Sequence, residues 1–138
     1  MSNADVARAL YAAINDRDAD AGAACMADKA EWREVPTGQI YRGPAGWRAN
    51  MDFWLGAFPD GRVEVTNLID GGEWVAVEYT GRGTNTGPMS TPEGELPPTG
   101  RSVEIPMVDL WQFEDGKVVS GRSYFDMAGM MTQLGLSG

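Results

Sequence analysis

Asp126 ends the run Ser120-Gly121-Arg122-Ser123-Tyr124-Phe125-Asp126, and strand alternation puts Ser120, Arg122, Tyr124 and Asp126 on one side. A second carboxylate, Asp109, interrupts the otherwise apolar alternating row of Val103, Ile105, Met107, Trp111 and Phe113. Such a group is costly inside a protein unless it is paired. Arg122, one strand away across the turn at 114–117, is its expected partner, and together with Asp126 they predict a cluster at the floor of a pocket. A carboxylate in apolar surroundings titrates nearer neutrality, which suits it to take a proton from carbon next to a carbonyl. Asp126 is the first candidate for that acid/base work, with Asp109 as a second carboxylate. Arg122 or Tyr124 would donate hydrogen bonds to the developing enolate oxygen.

Each assignment has a structural rival. Asp126 precedes Met127-Ala128-Gly129-Met130, so it also reads as a helix cap. Asp109 and Arg122 also read as a buried ion pair with no chemistry of its own. Trp111, Met107 and Met130 are candidates to line a cavity for a flat apolar ligand, whereas Trp54 and Leu55 read as core. Tyr79 and Asn85 offer hydrogen bonds either to a ligand or to backbone groups at strand ends.

Much other chemistry is excluded by composition. The 138 residues include no histidine, which removes Ser-His-Asp and Cys-His machinery and imidazole ligation of zinc. The only lysines are Lys29 and Lys117, and Lys117 falls in an exposed turn, a poor setting for a Schiff base. Asp plus Glu outnumber Lys plus Arg by 20 to 11, and the formal charge of -9 repels phosphate backbones and anionic lipid. Neither nucleic acid nor membrane is an expected partner. The lone Cys25 cannot form an intrachain disulfide, and no apolar stretch is long enough to span a bilayer, so a cytoplasmic location is expected.

The elements that position these residues follow from periodicity. Ser2 or Asn3 caps a helix whose apolar stripe is Val6, Leu10, Ala13 and Ile14. The Ala-rich run to Met26 predicts a short second helix, residues 31–35 a strand, and Gly43-Pro44 the start of a third helix carrying Trp47, Met51, Trp54 and Leu55. Beyond Arg62 the pattern is antiparallel strands, at 63–67, 75–79, 103–113 and 118–125, and a Met-rich helix starts near Asp126. Helices followed by antiparallel strands imply one α+β domain over residues 1–138, with the helices on one face of a bent sheet. The stretch 87–100, with four prolines and three glycines, is either a lid over a pocket or a surface connector.

The runs Phe58-Pro59-Asp60-Gly61-Arg62-Val63-Glu64-Val65, Gly83-Thr84-Asn85-Thr86-Gly87-Pro88, Pro97-Pro98-Thr99-Gly100-Arg101, Phe113-Glu114-Asp115-Gly116-Lys117-Val118-Val119 and Tyr124-Phe125-Asp126-Met127 with Gln133-Leu134-Gly135 occur in an order that resembles the SnoaL-like polyketide cyclases. The resemblance implies the nuclear transport factor 2-like fold, a cone-shaped α+β barrel in which a strongly bent antiparallel sheet packs on N-terminal helices. It also implies a homodimer and intramolecular aldol cyclisation of a small hydrophobic ketone or polyketide-like compound, with no metal or organic cofactor. The family's acid/base aspartate carries over onto Asp126. The family often has histidine at Asn85 and near Glu34, and tryptophan at Arg122, so this chain departs from it there. Two other readings stand beside cyclisation: a limonene-type epoxide hydrolase or hydroxylase-like activity through Asp109, Arg122 and Asp126, and a small-molecule-binding module without catalysis.

Overall fold

The computed structural model describes residues 1–91 and 93–136. Helix α1 (Asn3–Asp16) starts at a capping box in which the Ser2 hydroxyl accepts from the Asp5 amide and the Asp5 carboxylate accepts from the Ser2 amide, each at 3.1 Å. Its buried face carries Val6, Ala7, Leu10, Tyr11 and Ala13. Asp18 caps the short α2 (Ala19–Ala23). The helix expected to reach Met26 stops at Ala23, and strand β1 (Met26–Glu34) begins five residues before the expected start at Glu31. A run this short cannot sustain a helix by propensity, so strand pairing decides the conformation from Met26 onward.

Strand β2 (Gln39–Arg42), not anticipated from the sequence, folds back along β1. Helix α3 (Gly43–Ala57) has proline in its first turn and buries Trp47 and Met51. Strands β3 (Arg62–Gly71) and β4 (Trp74–Thr84) form a long hairpin. The following connection contains its own small hairpin, β5 (Met89–Thr91) with β6 (Gly94–Leu96). Strands β7 (Ser102–Glu114) and β8 (Lys117–Phe125) make the last hairpin, and α4 (Met127–Leu134) follows.

The main sheet has the order β2-β1-β8-β7-β4-β3. Its neighbours are antiparallel except β1 and β8, which run parallel. The expected all-antiparallel sheet is corrected at this one seam, where a long excursion rather than a tight turn joins the two strands. Helix α1 packs on β3 and β4 and α3 on β1 and β2, so the curved sheet wraps around the helices in an α+β fold.

Register across β7 and β8 slips between Gln112 and Phe113: Phe113 faces Val118 but Gln112 faces Ser120, leaving Val119 as the extra residue of a bulge. Uninterrupted pairing from Glu114 and Lys117 would set Asp109 opposite Arg122. The slip sets it opposite Ser123 instead, and Arg122 lies opposite Leu110. A one-residue shift exchanges the two faces of a strand, so Gly121 and Ser123 point inward while Arg122 and Tyr124 point out.

Candidate active site

Inside the sheet lies a cavity of about 110 Å³. Its walls are mainly apolar, with Trp32, Trp54 and Met51 from one side and Ile105, Met107 and Trp111 from the other. Its polar lining residues are Tyr11, Glu34, Asn50, Tyr79, Asp109 and Ser123, with Arg62 and Arg82, both exposed, bordering it as well.

Asp109 is only 3% exposed. The Tyr11 hydroxyl donates to its Oδ2 at 2.7 Å and the Tyr79 hydroxyl to its Oδ1 at 3.1 Å, while Trp111 Nε1 donates to the Tyr11 oxygen at 2.9 Å. Burial pushes the Asp109 carboxyl up to about 6, against the hydrogen bonds of Tyr11, Ser123 and Tyr79, which favour its ionised form. Burial and the neighbouring Asp109 charge together hold the Tyr11 and Tyr79 hydroxyls well above their ordinary range, so they remain donors.

Glu34, at the end of β1, is 4% exposed. Thr37 Oγ1 donates to its Oε1 at 2.8 Å and Trp54 Nε1 to its Oε2 at 3.3 Å. Burial raises this carboxyl too, and the two bonds offset part of the rise.

The sequence-derived candidates divide between these surroundings. Asp109, Tyr79, Met107 and Trp111 line the cavity. The expected cluster of Asp109, Arg122 and Asp126 is not assembled, because the bulge turns Arg122 outward. There its guanidinium lies 5.5 Å from the Trp74 ring centroid and its Nε donates to the Tyr124 hydroxyl at 3.1 Å. Tyr124 is on that outer face as well. Asp126 is exposed and caps α4, accepting from the Gly129 amide at 2.8 Å. Asp126→Ala is therefore expected to cost about 0.5–2 kcal/mol in chemical denaturation.

Asn85 is buried away from the cavity lining. Its amide nitrogen donates to the Ala57 and Gly87 carbonyls at 3.0 and 2.9 Å, and its oxygen accepts from the Thr99 amide at 2.9 Å. It pins both ends of the 87–100 connection, and no described residue of that stretch lines the cavity, so the described residues form a connector rather than a lid. Met130 packs with Phe58, Met89 and Leu134 in a separate apolar cluster.

Tyr11, Glu34 and Ser123 were missed in the sequence. Tyr11 is a hydroxyl on the apolar stripe of α1, and Glu34 follows Trp32 at the strand period, so both carried a signal. Ser123 carried none, because its face depends on the bulge.

Among the described residues, no three His, Cys, Asp or Glu side chains are grouped to hold a metal ion, and no helix is long and apolar enough to cross a membrane. No curated protein gives a significant sequence match to the chain. Solved structures do. A candidate SnoaL-like polyketide cyclase from Jannaschia sp. CCS1 superposes with a TM-score of 0.84 at 24% identity, covering 99% of this chain and 93% of its own. AclR, a candidate hydroxylase from Streptomyces galilaeus, gives 0.80 at 24% identity, with 99% and 97% covered. IdmH, a candidate polyketide cyclase from Streptomyces antibioticus, gives 0.80 at 26% identity, with 98% and 99% covered. The shared architecture is the nuclear transport factor 2-like and ketosteroid isomerase-like fold. Residues 4–134 match the profile of one family across nearly the whole sequence, and the chain belongs to the SnoaL-like polyketide cyclases.

Proposed function

We propose that this protein closes a ring in a small, apolar ketone or polyketide-like compound by an intramolecular aldol reaction, through proton transfer by cavity carboxyl groups and without a cofactor. Family membership implies a small organic substrate. The observation that carries the reading is Asp109, a carboxyl buried in a mainly apolar cavity with hydroxyl donors on both oxygens and, among the described residues, no ion pair. Such a group changes protonation state near neutral pH, as exchange of protons with a carbon acid requires. A cavity of about 110 Å³ is comparable to the roughly 150 Å³ that holds one benzene ring, so it suits the reacting end of a flat molecule. The epoxide-hydrolase reading has no such support, since its arginine lies outside.

The reading is tested with protein dialysed against a chelator and offered an aryl 1,5-diketone, whose closure to a cyclohexenone is followed by ultraviolet absorbance. Closure faster than in buffer is expected. Quenching of the cavity tryptophans without closure would make the protein a binding module. The proposal extends to a cytoplasmic homodimer packed through the outer sheet face, where Ile69, Ala76 and Leu110 lie in one cross-strand row beside Trp74 and Tyr124. Light scattering at micromolar protein that returned a single-chain mass would remove the dimer.

A further inference from the structure

We infer that Glu34 is the base of this site and that Asp109 works opposite it as the proton donor to the substrate carbonyl. This deepens the ring-closing reading and rests on it. Glu34 is paired in register with Ser123, and Ser123 with Asp109, so the three occupy one row across β1, β8 and β7 on the inner face. At a strand spacing of about 4.8 Å, the α-carbons of the two carboxyl residues stand roughly 9–10 Å apart with the Ser123 hydroxyl between them. Both side chains line the same cavity. A flat carbonyl compound placed over Ser123 would meet one carboxyl at its α-carbon and the other at its oxygen.

The division of labour follows from what surrounds each group. Facing Asp109 are Tyr11 from α1, Tyr79 from β4, Ser123 from β8 and, along the row, Glu34. Facing Glu34 are Thr37 from the adjoining turn, Trp54 from α3, Tyr41 from β2, and Tyr79 and Asp109 from the sheet. No cation is among them. Arg62 and Arg82, paired in register, border the cavity as exposed residues, and the Arg82 guanidinium is held by Glu64 and Glu104 rather than by either buried carboxyl. Glu34 ends its strand beside an exposed turn whose Thr37 donates to it, whereas Asp109 lies mid-strand beneath Tyr11. The pair therefore gives up its first proton at Glu34 and keeps the second on Asp109. An apolar site that holds a carboxylic acid neutral lets it donate a hydrogen bond.

The steps balance. The Glu34 carboxylate takes the α-proton, the C–H electron pair becomes the enol double bond, and the Asp109 proton passes to the carbonyl oxygen, giving a neutral enol. The enol carbon then attacks the second carbonyl and forms the C–C bond. The enol O–H proton returns to Asp109 while Glu34 delivers its proton to the new alkoxide oxygen. With Tyr11, Tyr79 and Trp54 already committed to the carboxyls, the site has little to stabilise a free enolate. The route through a neutral enol thus selects uncharged ketones with an acidic adjacent C–H.

The probe is 2-tetralone in deuterated buffer, with α-proton exchange followed by NMR. The wild type is expected to exchange it above the buffer rate, falling off as pH rises past about 6, where Asp109 loses its proton. Glu34→Gln is expected to lose about 10²–10⁴-fold. Asp109→Asn, whose amide still donates, keeps part of the activity and loses the fall above about 6. If Glu34→Gln does not fold, Thr37→Val serves: stripping one donor from the ionised Glu34 moves the acid limb of the profile to higher pH. Wild-type exchange in Glu34→Gln, or an unmoved acid limb in Thr37→Val, would overturn the assignment while leaving ring closure by Asp109 standing. Absence of exchange by the wild type would overturn both.

Discussion

Asp109→Ala is expected to lower the rate of ring closure by about 10²–10⁴-fold, the range that a positioned acid/base group contributes. The same residue has a second signature that needs no substrate. Its carboxyl titrates at about 6 in the folded protein against an ordinary value of 3.8. Between those values the folded state holds more protons than the unfolded chain, so stability falls as pH rises. The contribution is fully present below about 4 and is lost on passing about 6, a difference of about 3 kcal/mol at 1.36 kcal/mol per unit. In Asp109→Asn that dependence should vanish. Urea denaturation of both proteins at pH 4.5 and 7.5 measures it, and parallel changes in the two would show that Asp109 is not the titrating group.

The second large effect is expected at Gly121, which faces Trp111 on one side and Trp32 on the other in the row next to Glu34, Ser123 and Asp109. The two indoles meet over it, with ring centroids 5.8 Å apart at 70°. A Cβ there would stand 2.5 Å from the Trp111 ring and 2.7 Å from the Leu110 carbonyl, and the backbone oxygen cannot swing aside. Gly121→Ala is therefore expected to cost about 1–3 kcal/mol by overpacking. The strain should also reach the site, since Trp111 holds the Tyr11 hydroxyl that bonds Asp109. A variant with parental stability and an unchanged pH profile would contradict both parts.

These two positions also mark where the sequence was readable. The row from Val103 to Phe113 follows strict alternation, so Asp109 could be placed among apolar neighbours from its spacing alone. The helical stripes of α1 and α3 and the hairpins of β3 with β4 and β7 with β8 were legible for the same reason: local periodicity reports one face of a local element. The partner of Asp109 was not, because it depends on whether one residue, Val119, is counted in or out of the ladder. That single slip moved Arg122 from the expected pocket floor to the surface and brought Ser123 in. Glu34 was hidden differently. Its partner strand β8 lies far along the chain, and no local pattern announces a parallel seam. Asp126 was the reverse case, a carboxylate whose local capping role was plain and whose supposed chemistry depended on tertiary neighbours it does not have.

The parallel seam has a consequence for how the molecule comes into being. Strand β1 must wait for β8, and closing the intervening loop of roughly 80 residues costs about 4 kcal/mol of chain entropy before any contact rewards it. At ordinary synthesis speeds of about 5–20 residues per second, that wait lasts on the order of 4–16 s. Throughout it, the Ala30 and Trp32 face of β1 has only β2 and the helices for cover. The nascent chain is therefore most prone to aggregate before its last hairpin arrives, and the row of Glu34, Ser123 and Asp109 is among the final parts of the molecule to exist.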